Sequence, residues 1–351
     1  MKKNLLPFAA LFLMLTACAA PTVPAVPAVP AETSSQSAPA QSPSNTPTIT
    51  KENVASLTTV ASLQPSIGAL ACSWVQGGES FWLQDSFTVS LVDAATLDQL
   101  AKFDGGEYAA IYDTSSDGRF VVYSLDGVEI KLLDILTQKD TLTITPGFPY
   151  SNAFFSPGDE TLAVTSMENI EIILFSLKDG ARVGQLSGFT TAAPVYSASF
   201  GSDGGTLIWE SRGTIQAMSI GSGELGPALS HEDFVVAVAG SPDGSLIATT
   251  SAGTLNNEFQ PLVTLWNAAS GEVIWQQGNQ EYFSSLDFSP DGGLLAAGTV
   301  GEVLLYDAGS GNELARLKAG AEPVNSLAFS PDGRVLLTCD TSGIVKLWKV
   351  D

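Results

Sequence analysis

Three times in 351 residues the chain reads Ser-Pro-Asp-Gly, at Ser241, Ser289 and Ser330. Pro presets φ at the turn entry and Gly takes φ > 0 without a steric penalty, so each tetrapeptide predicts a tight turn between two strands. The turn glycines Gly78, Gly118, Gly204, Gly244, Gly292 and Gly333 recur at spacings of roughly 40 residues, or near a multiple of that, and one turn is inverted to Gly158-Asp159. Around them seven units can be laid over one another, starting at Ala69, Ala109, Tyr150, Val195, Val235, Phe283 and Val324. Each holds about four short apolar runs, and four strands per repeat of that length predict a propeller. Runs such as LLAAG and EVLLY are nearly continuous rather than alternating, as strands buried on both faces require. No segment after residue 50 has a convincing helical period.

The predicted fold is therefore all-β, a seven-bladed propeller of four-stranded antiparallel blades over residues 53–351. Its last unit supplies only three strands, Leu327 to Asp351, which leaves a bare sheet edge. Upstream, TTVASLQP (Thr58 to Pro65) resembles the outer strand NELARLKAG of the preceding unit. It is predicted to complete the last blade and shut the ring.

Before residue 53 the sequence changes character. Lys2 and Lys3 precede an apolar run from Leu5 to Leu15, too short for a comfortable membrane span and suited to a secretory signal. Leu15-Thr16-Ala17-Cys18 resembles the bacterial lipobox. That resemblance implies cleavage of a 1–17 signal peptide and lipid on Cys18. Residues 18–52 are rich in Pro, Ala, Ser and Thr, with almost no charge and no aromatic residue. Such a stretch buries too little to offset its ordering entropy, so it reads as a disordered tether.

The repeats resemble WD repeats. Their closing dipeptides are degenerate: Trp348-Lys349, Tyr306-Asp307, Trp266-Asn267, Phe175-Ser176 and Leu133-Asp134. The family's Gly-His pair survives only as Ser230-His231. The resemblance implies structural roles for His231, Trp348 and the turn residue Asp332, with the family's Asp-His-Ser/Thr-Trp network missing from most blades. It bears on fold far more than on function.

The formal net charge is −22, becoming −24 once a leader carrying Lys2 and Lys3 is removed. Nucleic-acid binding needs a basic footprint, so that class is excluded as a partner. The acidity reads as solubility, with a cationic partner as the alternative. His231 is the single histidine, no Cys/His cluster has metal-ligand spacing, and no GxxxxGK[ST] loop occurs. No catalytic set, metal or cofactor is expected. Cys72 and Cys339 fall in the first and last units, neighbours in a closed ring, so a disulfide there would lock the closure. Packed sheets lie about 10 Å apart, while bridged Cα atoms lie within about 7 Å, which favours two buried small hydrophobes.

The expected binding surface is one loop face. In WD-repeat proteins the connections from fourth strand to next blade, and from second to third strand, share a face. The first set carries Tyr108, Phe148, Phe189, Phe234 and Tyr282, beside several carboxylates. The second carries the insert Thr250 to Pro261, with Asn256, Asn257, Glu258, Phe259 and Gln260, and an aromatic stretch Gly78 to Phe87 containing Trp82. Aromatic residues among polar neighbours are typical of recognition sites. The expectation is a non-enzymatic scaffold, lipid-anchored outside the cytoplasm, whose partner is an unidentified protein or peptide at the cell envelope. Alternatives are an outer-membrane-assembly or quinoprotein-like propeller lipoprotein, for which LWNAASGEVIWQQ (Leu265 to Gln277) is the resemblance, a small-ligand or glycan binder, and a carboxylate-based hydrolase.

Overall fold

A computed structural model describes residues 46–64, 71–167, 171–186, 197–201, 205–211, 213–220 and 223–350. Cys18 and Phe189, together with the predicted signal peptide, lie outside these residues.

Seven four-stranded antiparallel sheets follow one another along the chain. Six are simple meanders, here blades 1 to 6, running over 71–104, 110–144, 150–186, 197–230, 237–278 and 285–323. Blade 7 takes its three inner strands from Ser326–Phe329, Leu336–Cys339 and Val345–Val350. Its outer strand is Leu57–Leu63, which pairs antiparallel with Val345–Val350 from Leu57↔Val350 to Leu63↔Val345, with one bulge between Thr59 and Ala61. The ring thus closes with the N-terminal strand, as expected, which covers the edge that Val345–Val350 would otherwise leave bare.

The core is divided in the same way. Seven clusters of buried side chains each join one blade to its neighbour. One of them unites blade 7 with blade 1 through Trp74, Phe81, Leu83, Leu337, Val345 and Leu347. Each middle strand feeds two such layers, which is why runs such as Leu294–Gly298 are buried at every position.

The repeated turns explain the recurring tetrapeptide. In four blades the serine hydroxyl donates to the aspartate two residues on: Ser115 to Asp117, Ser241 to Asp243, Ser289 to Asp291 and Ser330 to Asp332, at 2.6–2.7 Å. The same oxygen accepts the N–H that opens the second strand, as from Leu294 at 2.9 Å. Gly333 follows at φ 69°, a conformation costly for any residue with a Cβ. At the end of the third strand Asp134, Asn267 and Asp307 each accept two backbone N–H groups of the next turn. The second residue of the degenerate dipeptide therefore caps a turn whether it is Asp or Asn.

The folded unit begins before residue 53. Ile49 is buried between blades 6 and 7, its N–H donates to the Gly333 carbonyl at 2.8 Å, and Lys51 pairs with Asp307 at 3.0 Å. The tether reading of residues up to 52 fails there because one branched apolar side chain in a polar stretch finds a ready hole. No helix among the described residues is long and apolar enough to cross a membrane.

Candidate binding face

In a four-stranded meander the second-to-third connections and the blade-to-blade connections emerge at the same end of the sheet. Fifteen large apolar side chains are exposed among the described residues. Nine stand at that end: Phe87, Leu125, Val128, Met167, Phe259 and Val300 beside second-to-third connections, and Tyr108, Phe234 and Tyr282 between blades. The opposite end shows one, Leu136; the other five lie on outer strands. The described loops of the apolar end also carry Glu107, Asp126, Glu129, Glu232, Asp233 and Glu281, and no lysine or arginine.

The insert Thr250 to Pro261 is no irregular loop. It lengthens the second and third strands of blade 5 to Leu246–Leu255 and Glu258–Asn267, paired throughout their length. Asn256 and Asn257 form its two-residue turn at φ 55° and 66°. Two consecutive positive φ values define the turn type that matches strand twist, and Asn tolerates them. The hairpin holds Phe259 out from the ring at 60% exposure, while Gln260 turns back to donate to the Leu255 carbonyl at 3.2 Å. The Thr254 hydroxyl donates to Glu232 at 3.0 Å and ties the hairpin to the preceding loop.

Beside the hairpin is a cavity of about 410 Å³ lined by Glu210, His231, Glu232, Asp233, Phe234 and neighbouring backbone. Glu210 accepts the Gly213 N–H at 2.7 Å, and burial holds its carboxyl above the usual carboxylate range. His231 is among the lining residues. Burial keeps its imidazole below the usual pKa, so it is neutral at pH 7. Its Nδ1 lies 3.1 Å from the Gly213 carbonyl, which assigns the proton there, and Nε2 takes the Thr249 hydroxyl at 2.8 Å. Thr249 Oγ1 in turn accepts Trp266 Nε1–H at 2.8 Å. The chain is complete without an aspartate because a backbone carbonyl occupies that place. Blade 7 has the shorter version, Trp348 Nε1–H to Thr338 Oγ1 at 3.0 Å, with Gly320 packed against Asp340.

Of the expected face residues, Trp82 is a core residue and Phe148 is half-buried. Trp82 is 2% exposed, lies mid-strand in Ser80–Gln84, and donates Nε1–H to the Ser115 carbonyl at 3.0 Å. Its aromatic stretch is a second strand buried on both sides, and only Phe87 at its end reaches the loop. Phe148 packs against the cluster between blades 2 and 3, where Ile144 and Tyr150 draw it in. Conversely Leu125, Val128, Met167 and Val300 are face residues that the sequence reading passed over. Their signal is an apolar residue inside or beside a turn segment, as in Leu125-Asp126-Gly127-Val128.

Carboxylates also enter the axial channel, where a cavity of about 140 Å³ is lined by Tyr112, Asp113, Asn152, Phe154, Asp159 and others. Both aspartates brace blades. Asp113 accepts Thr114 and Phe155 N–H, each at 2.8 Å. Asp159 accepts Ser116 Oγ–H at 2.7 Å and the Ser116 and Asp117 N–H groups at 3.2 Å. Asp287 repeats the Asp113 contact in blade 6, taking Phe329 N–H at 2.7 Å.

Residues 225–256 and 311–349 match the family WD domain, G-beta repeat. Those stretches contain His231 and Thr249 of the blade 5 network, whose Trp266 and Gly213 lie outside them, and both Thr338 and Trp348 of the blade 7 pair. Fold and matches together define a WD-repeat-like β-propeller. No curated protein matches the chain.

Proposed function

We propose that this propeller is a non-enzymatic docking module that holds a protein partner on its loop face, at the cell envelope, through a lipid on Cys18. The observation that carries the reading is the one-sided placement of exposed apolar side chains. Scattered surface apolars need no explanation, but nine gathered at one end against one at the other, amid carboxylates, is how recognition surfaces are composed. WD-repeat-like propellers generally bind other proteins, which agrees. Seven sheets, rather than eight, favour this reading over a quinoprotein-like one.

The test is capture from detergent-solubilised envelopes with the full chain. The comparison variant lacks two facing pairs, Thr254/Phe259 and Leu255/Glu258, which keeps the Asn256–Asn257 turn and the remaining register. A partner retained by the wild type and reduced tenfold or more by the variant is the expected result. Equal capture would move the site off the hairpin, and no partner with either bait would sink the docking reading. Cys18→Ser is expected to release the protein from membranes and abolish acyl labelling. Retention of both would refute the anchor.

A further inference from the structure

The structure assigns a disulfide site to Cys72 and Cys339, a covalent lock across the seam where the ring shuts. Both residues are unbonded here and almost wholly buried. Cys72 lies in the innermost strand of blade 1 and Cys339 in the second strand of blade 7, and both belong to the cluster that joins those blades.

The sheet-to-sheet distance that argues against a bridge applies to parallel faces, and propeller blades are not parallel. They converge on the axis, so innermost strands meet closely. Ser326 measures how closely. Its hydroxyl donates to the Cys72 carbonyl at 3.0 Å and accepts the Cys72 N–H at 3.1 Å, while Cys72 Sγ lies 3.8 Å from the Ser326 carbonyl oxygen. Ser326 is also the direct register partner of Cys339. Directly opposed residues have Cα atoms about 4.5–5.5 Å apart. One serine thus touches the backbone of one cysteine and faces the other. The two thiols are within reach of each other, and burial together with that contact pushes the Cys339 thiol up. Asp340, next in the chain, has a buried Oδ2 without a hydrogen-bond partner, which further disfavours a thiolate in the closed ring.

That environment dictates when the bond forms. A buried, protonated thiol is a poor nucleophile. Blades 1 and 7 are far apart in sequence and come together only as the ring closes, so oxidation belongs to folding or to opening of blade 7. The oxidant is a small-molecule disulfide such as oxidised glutathione. One cysteine thiolate attacks it, forming a mixed disulfide and releasing one glutathione thiol. The second cysteine attacks the mixed disulfide, forming the Cys72 Sγ–Cys339 Sγ bond and releasing the second. Two protein thiols are oxidised, one glutathione disulfide is reduced, and the two protons end on the released thiols.

The experiment refolds the full chain in oxidised and reduced glutathione, then maps cross-linked peptides by mass spectrometry after alkylation. The expected product links the Cys72 and Cys339 peptides, leaves Cys18 unlinked to either, and unfolds in denaturant at least tenfold more slowly than the reduced protein. Reductant abolishes the difference, and Cys72→Ser or Cys339→Ala prevents it. Mapping on the wild type stands even if a variant fails to fold. Correctly folded protein that keeps both thiols free, links either to Cys18, or is destabilised by the bond would overturn the assignment.

Discussion

Replacing Thr249 by Val tests the blade 5 network directly. Val has nearly the shape of Thr, so packing is kept and only the hydroxyl is lost. Thr249 is fully buried, and its hydroxyl serves Trp266 Nε1–H and His231 Nε2 at once. The Trp266 donor, in a residue only 8% exposed, is then stranded away from water. A buried donor without a partner costs about 1–3 kcal/mol, and the half-buried imidazole adds about 1 kcal/mol, for a loss of about 2–4 kcal/mol. Thr338→Val in blade 7 strands only Trp348 Nε1–H, since no histidine stands behind it, and loses about 1–3 kcal/mol. For a domain of this size each kcal/mol lowers Tm by about 2 °C. The assay is denaturant unfolding of both variants, with a double-mutant cycle through Trp266→Phe. Equal losses at the two sites, or a Thr249–Trp266 coupling near zero, would refute the reasoning that the hydroxyl is a two-sided hub.

Three further outcomes follow from the same geometry. His231 is the chain's single histidine, so its C2 proton can be titrated by NMR without ambiguity. Burial lowers its folded pKa, so its contribution is complete above the ordinary value of about 6.5 and is lost as pH falls through it; a midpoint at or above 6.5 would contradict this. Asp113 runs the other way. Burial raises its folded pKa to about 7, so the folded state holds a proton that the unfolded chain releases near pH 4. Stability from this group therefore declines between about pH 4 and 7. Asp113→Asn is expected to flatten Tm against pH over that window while lowering Tm throughout, because its amide opposes one of the two backbone N–H groups. An unchanged slope would be contrary evidence. Finally, deleting residues 46–63 removes the outer strand of blade 7 and the Ile49 plug. Loss of cooperative unfolding and concentration-dependent association are expected by scattering and calorimetry; a monomeric, cooperatively melting product would show that closure is dispensable.

Much of the fold was legible because its determinants are local. A Ser-x-Asp-Gly turn carries its own hydrogen bonds, the strand runs have the continuous apolar character of doubly covered strands, and Thr58 to Pro65 reads like the outer strands it imitates. The site was legible only in part. Tyr108, Phe234, Phe259 and Tyr282 were marked as face residues and are exposed. Trp82 carries the same signal and is packed inside, and Phe148 is half-buried against the core, because an aromatic residue's exposure depends on which side of a strand end it falls.

The sequence by itself determined the number of blades, the strand order within each and the way the ring ends, since these follow from short-range pattern repeated along the chain. Tertiary structure alone decided what crosses between blades. It put the Gly213 carbonyl where an aspartate was missing, a substitution invisible in sequence because every residue has a carbonyl. It brought Ser326 against Cys72 across more than two hundred residues, because blades taper toward a shared axis. And it gathered most of the exposed apolar side chains at one end, a property of the closed ring that no single repeat contains.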